Sequence, residues 1–132
     1  MPPSPEIRPS LSGRATSAGV EHALLSYRYL NEDDLDGYAS LLDWEARFAP
    51  TGVPRGQGPE AAATLVFDRC GGQGWHHPER VIASGADVVV TGTLTRPAPG
   101  RPTTEEFADF FTVSEHGLLS TWRRFREPGS PT

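Results

Sequence analysis

Residues Glu105 to Phe125, EEFADFFTVSEHGLLSTWRRF, constrain this chain more than any other stretch. They read as two strand-forming runs, rich in aromatic and β-branched residues, on either side of a Glu-His-Gly turn. A strand sends alternate side chains to opposite faces. If Phe107, Phe111 and Val113 face a core, Glu105 and Asp109 face it with them. On the second run, Leu119, Thr121 and Phe125 inward bring Arg123 inward too. A carboxylate and a guanidinium within an aromatic wall are either a structural ion pair or the polar end of a ligand cavity. The residues alone leave both readings open.

A chain of 132 residues suffices for one domain with a single core or pocket. Its net charge of −5 comes without a basic block, which disfavours nucleic-acid binding. The single cysteine, Cys70, excludes an internal disulfide and suits a reducing cytoplasm, where we place the protein. No apolar run is long enough to span a membrane, and no hydrophobic leader precedes the domain.

Residues 1–17, with Pro2, Pro3, Pro5 and Pro9, lack apolar periodicity and are expected to form a disordered arm, as are residues 127–132 at the other end. The domain is thus assigned to residues 18–126. Thr16 or Ser17 can cap a helix whose stripe is Val20, Ala23, Leu24, Tyr27 and Leu30, ending near Asn31. Asp33 or Asp34 can start a second helix running through Leu42. A short strand is expected at 46–49, then a Gly/Pro-rich loop to Gly58. A third helix opens at Pro59 and stops at Gly71-Gly72. From Trp75 the period changes to two, giving strands at 76–83, 87–96, 103–114 and 118–126 between turn signals. Helices followed by an antiparallel meander give an α+β fold with the helices on one face of a curved sheet.

That order, with Asn31-Glu-Asp-Asp-Leu-Asp-Gly37 at a helix junction, Arg55-Gly56 before the third helix, and Asp109-Phe-Phe111 leading to Glu115-His-Gly117, resembles the nuclear transport factor 2-like superfamily. Within it the chain is most similar to SnoaL-like polyketide cyclases and ketosteroid isomerase-like proteins, over roughly residues 18–126. The resemblance implies a cone-shaped α+β barrel, three N-terminal helices on a curved antiparallel sheet, with an internal pocket. It also implies that Asp109 occupies the position of the cyclases' general acid/base. Where the isomerases carry their base, just after the first strand, this chain has Ala49-Pro50, and Ser26 stands in place of the oxyanion tyrosine, with Tyr27 and Tyr29 adjacent. A steroid-type isomerase is therefore disfavoured.

The expected site has Asp109 as acid/base, Arg123 holding Asp109 or a developing enolate, and His76 assisting. The wall consists of Tyr27, Tyr29, Phe48, Phe107, Phe111, Thr121 and Phe125. Of the adjacent His76 and His77 only one can face inward, and His76 is favoured because Ile82 would share its face. Two adjacent histidines with no third ligand make no metal site, and Gly56-Gln-Gly58 lacks the lysine of a phosphate loop; no metal and no cofactor is expected. The function this implies is a small cofactor-independent cyclase, isomerase or dehydratase of secondary metabolism acting on an apolar, carbonyl-bearing ligand. The alternative is a non-catalytic domain that binds a small hydrophobic ligand or serves assembly. Val88, Val90, Phe110, Leu118 and Trp122 are expected on the outer sheet face, where they would pair two copies as a homodimer.

Overall fold

The computed structural model describes residues 13–48, 58–70 and 74–127. Helices α1 (Gly13–Asn31) and α2 (Leu35–Ala39) lead into strand β1 (Leu42–Arg47) and helix α3 (Gly58–Cys70). Strands β2 (Trp75–Ser84), β3 (Asp87–Arg96), β4 (Thr103–Val113) and β5 (Leu119–Arg126) follow. They form one curved, unclosed sheet in the order β1-β5-β4-β3-β2. β2 to β5 are an antiparallel meander, and β1 joins β5 in parallel. This is the expected α+β class, with the helices over the concave face. Of the expected arm at 1–17, residues 1–12 lie outside the described residues, as do the Ala49-Pro50 and Arg55-Gly56 segments, Gly71-Gly72 and the expected tail beyond Glu127, whereas residues 13–17 belong to α1.

Helix α1 begins at Gly13, earlier than the Thr16 or Ser17 cap expected from sequence, and buries Ala15, Gly19, Ala23, Ser26, Tyr27 and Leu30 at helical spacing. Gly19 permits its close approach to the sheet, since a Cβ there would lie 2.5 Å from the Val113 side chain. The helix stops at Asn31, where Asp33 adopts a left-handed φ of 57°. Asp34 then caps α2, its Oδ1 accepting from the Gly37 N–H at 2.9 Å.

The second helix does not reach Leu42. It ends at Ala39, because Leu42 is already paired with Leu119 at the edge of the sheet and the Leu41 carbonyl accepts from the Leu119 N–H. β1 consequently starts at Leu42, ahead of the 46–49 segment expected. Leu41 and Leu42 are equally apolar in helix or strand, and the free edge of β5 decides between them.

Two bulges set which residues face inward. On β5, Val113 pairs with Leu119 but Thr112 with Thr121, leaving Ser120 as an extra residue. On β2, Pro78 pairs with Gly92 but Arg80 with Thr91, leaving Glu79 extra. Each bulge reverses the parity of everything beyond it. The core between helices and sheet therefore includes Tyr27, Tyr38, Phe48, Val66, Val88, Val90, Leu94, Phe107, Phe111 and Leu119. Val88 and Val90, expected outside, pair with Phe111 and Asp109 and are fully buried on the inner face. Trp122 also turns inward, stacking on Phe48 at 6.2 Å. Ile82, Val89, Phe110 and Phe125 form the apolar part of the outer face instead.

Candidate functional site

Four elements each send one polar side chain to a common point under the helices. Asp109 on β4 and Arg124 on β5 are cross-strand partners. The Arg124 Nε donates to Asp109 Oδ1 and its Nη2 to Oδ2, both at 2.7 Å, a bidentate pair whose side chains are 6% and 0% exposed. From α1, the Tyr27 hydroxyl donates to Oδ2 at 2.7 Å. From β2, His76 Nε2 lies 3.0 Å from Arg124 Nη1. Phe107 carries the guanidinium on its ring face at 4.5 Å and also contacts the rings of Tyr27 and His76.

Every close neighbour of the Asp109 carboxylate is a donor, and the strongest is charged. Burial alone would pull Arg124 down; the hydrogen bonds and charge of Asp109 more than offset this and hold the guanidinium above its ordinary range. Tyr27 is raised by burial first and by the Asp109 charge second, so its phenol keeps its proton. Tyr38, fully buried and edge-on to Phe48 and Phe67, is raised for the same two reasons in the same order. His76 is pushed the other way, to about 3, by burial and then by the positive charges of Arg124 and Arg96. It is a neutral imidazole, and its Nδ1 has no hydrogen-bond partner among the described residues.

The backbone of His76 is held from both sides by one side chain at the end of α1. Asn31 Oδ1 accepts from the His76 N–H at 2.7 Å, and Asn31 Nδ2 donates to its carbonyl at 2.9 Å. Since β2 is an edge strand, Asn31 supplies the hydrogen bonds a further strand would make. Beside it a groove of about 280 Å³ opens between α1 and the start of β2, with Tyr27 and His76 as its buried members and Trp75 on its rim.

The sequence profile of the SnoaL-like domain matches residues 25–122, from within α1 into β5; the match includes Tyr27, His76 and Asp109 and stops two residues short of Arg124. The chain belongs to the SnoaL-like domain family. Solved structures agree on the fold. An LEH-like epoxide hydrolase of Mycobacterium tuberculosis superimposes with a TM-score of 0.64 at 21% identity, over 85% of this chain and 84% of that one. SalBIII, an epoxide hydrolase/cyclase-like enzyme of pyran ring formation in the polyether salinomycin, gives 0.66 at 20%, over 84% and 92%. A putative ketosteroid isomerase from Kribbella flavida gives 0.66 at 22%, over 89% and 83%. No curated protein sequence matches significantly.

Of the residues singled out from this SnoaL-like sequence, the fold brings together Asp109, His76, Tyr27 and Phe107, with Phe111 edge-on to Tyr27 and Phe48 against Trp122. Arg123, Thr121 and Phe125 are not at the site. The Ser120 bulge turns all three outward: Arg123 lies over the Phe125 ring at 4.8 Å, and Thr121 pairs with the Thr112 hydroxyl. Tyr29 packs on the Gly37 side of α1, leaving Tyr27 as the phenol on Asp109. His76 faces inward as expected, but for another reason. Ile82, past the Glu79 bulge, is 56% exposed on the opposite face. Glu105 stays at the strand end, 3.5 Å from Arg96 and 3.4 Å from Arg126.

Sequence reasoning missed Arg124, Asn31 and Trp122. The tandem Arg123-Arg124 was the available signal for the first, since either parity presents a guanidinium inward. Among the described residues no cluster of His, Cys, Asp and Glu could hold a metal, and no helix is long and apolar enough to cross a membrane.

Proposed function

We propose that this SnoaL-like domain is a small enzyme that works by acid/base chemistry on an apolar, oxygen-bearing ligand of the carbonyl or epoxide class. Asp109 takes a proton from the carbon beside the carbonyl, or from an attacking water, and returns it at a second atom; such chemistry calls for no cofactor. A carboxylate offers about four acceptor positions, and three are engaged by Arg124 and Tyr27. The fourth is the one available to a substrate proton. Arg124 and Tyr27 fix the carboxylate and limit its reorganisation as its charge changes.

The observation that carries this reading is the burial of the whole charged cluster. An apolar pair of similar volume is often at least as stable as a buried ion pair, so stability alone does not call for Asp109 and Arg124 at 0% and 6% exposure. The structural neighbours named for epoxide opening, cyclisation and ketosteroid isomerisation support the substrate class. A second reading, a non-catalytic domain for a small hydrophobic ligand, is favoured by the near-complete occupation of Asp109 by its own donors.

Asp109→Asn separates the two, because it keeps the shape and removes the base. Turnover of cyclic ketones, epoxides and polyketide-like substrates should fall on the order of a hundredfold or more, with the fold retained by circular dichroism. An unchanged rate with a lowered melting temperature would overturn the catalytic role and leave the ion pair as structure.

A further inference from the structure

The hydrogen atoms around His76 can be placed by elimination. A guanidinium has only donors, so the 3.0 Å contact from Arg124 Nη1 requires His76 Nε2 to accept. An imidazole accepting at Nε2 is neutral and carries its proton on Nδ1. Turning the ring over would set a carbon against the Arg124 N–H and lose that bond, so the ring orientation is fixed as well. Nδ1–H is therefore a donor in a side chain that is 1% exposed, with no partner among the described residues. Leaving such a donor unmet in the interior is unfavourable, because it loses its bonds to water and gains none in return.

We propose that His76 Nδ1–H is the hydrogen-bond donor to a ligand oxygen bound in the groove between the end of α1 and the start of β2, and that the ligand is a small uncharged molecule bearing a carbonyl or ether oxygen. The proposal rests on the acid/base reading above and deepens it by naming what holds the substrate oxygen. Three features support it. His76 and Tyr27 are the buried members of a groove of about 280 Å³, near the lower end of the range for small-ligand sites. Asn31 clamps the His76 backbone at both N–H and carbonyl, so the donor is held before any ligand arrives. Asp109 and Arg124 already neutralise each other, and Arg28 and Glu32 on the groove's rim pair with each other, so neither pair offers a free counter-charge to an ionic ligand. His76 is also kept uncharged well below neutral pH, so it offers one directed donor without a positive charge that would favour anions.

The test is nitrogen-15 NMR of the histidine rings in the intact protein, with His76→Gln used only to assign the signal. At about pH 5, where an ordinary imidazole is largely protonated, His76 should show the neutral pattern with its proton on Nδ1. Cyclohexanone and cyclohexene oxide at millimolar concentration should shift that nitrogen, while cyclohexylamine and cyclohexanecarboxylate should not. His76→Leu should weaken cyclohexanone binding about tenfold, as expected for one lost hydrogen bond. A proton on Nε2, a Nδ1 signal unmoved by both oxygen ligands, or equal shifts with the charged pair would each overturn the proposal. Its failure is distinct from that of the catalytic reading. Nδ1 should still respond in Asp109→Asn if only acid/base chemistry is wrong, whereas an unresponsive Nδ1 beside intact turnover sinks this inference alone.

Discussion

Replacing Arg124 and Arg123 separately by Met measures what the Ser120 bulge decides. Arg124 has a side chain 6% exposed and makes two bonds to Asp109 and one to His76. Its loss leaves a fully buried carboxylate with only Tyr27 as donor. Removing one partner of a buried pair costs about 3–5 kcal/mol, and Met keeps most of the apolar packing on Phe107, so Arg124→Met should fall within that range. Arg123, on the outer face, gives up one contact with the Phe125 ring, worth about 0.5–1 kcal/mol at an exposed site. The difference of roughly 3 kcal/mol should be plain in urea unfolding followed by tryptophan fluorescence, as a shift in midpoint at constant slope. Adding Asp109→Leu to Arg124→Met should cost less than the two single changes summed, because each single change strands a charge that the double removes. Equal destabilisation by the two arginine variants, or a loss under about 1 kcal/mol in Arg124→Met, would refute this account of the pair.

Acid should weaken the fold through His76, which Tyr27 on α1, Arg124 on β5 and Arg96 on β3 keep buried and uncharged. Its folded value of about 3 lies below the ordinary 6.5, so the unfolded chain binds the proton first. This stability is whole above pH 6.5 and is lost as pH falls toward 3, by up to roughly 4–5 kcal/mol. His76→Gln should flatten this part of the stability profile; a profile identical to wild type would refute the assignment. Gly92→Ala should cost about 1–3 kcal/mol by denaturant melts, because its Cβ would lie 2.3 Å from the His77 carbonyl and 2.9 Å from Pro78 Cα, backbone atoms beside the Glu79 bulge. The outer face, with Ile82, Phe110 and Phe125 at 56%, 45% and 48% exposure, is the surface we propose for a homodimer. Light scattering at micromolar concentration should give twice the chain mass for the wild type and a monomer for Phe110→Asp; a monomeric wild type would end that proposal.

Much of this structure is local and was therefore legible. Alternation marked β3 at Asp87–Arg96 and placed β2, β4 and β5 to within a residue or two, because the period of two is written in each run. Asn31 as the end of α1 and Asp34 as the cap of α2 follow from helix-terminus chemistry. Asp109 faces inward because nothing interrupts the alternation along β4, and the SnoaL-like resemblance rested on the same strings. What the sequence could not determine is where an unpaired residue is inserted. Ser120 and Glu79 have no property of their own that makes a bulge; the partner strand's register creates it. That register turned Arg124 toward Asp109 and Arg123 toward solvent, brought Trp122 onto Phe48, and sent Ile82 to the face opposite His76. Leu41 and Leu42 were settled in the same way, by an open edge on β5 that lies far along the sequence at Leu119. Parity within a strand is a property of its own residues, but parity across a bulge belongs to the pair, and only the folded sheet holds both members.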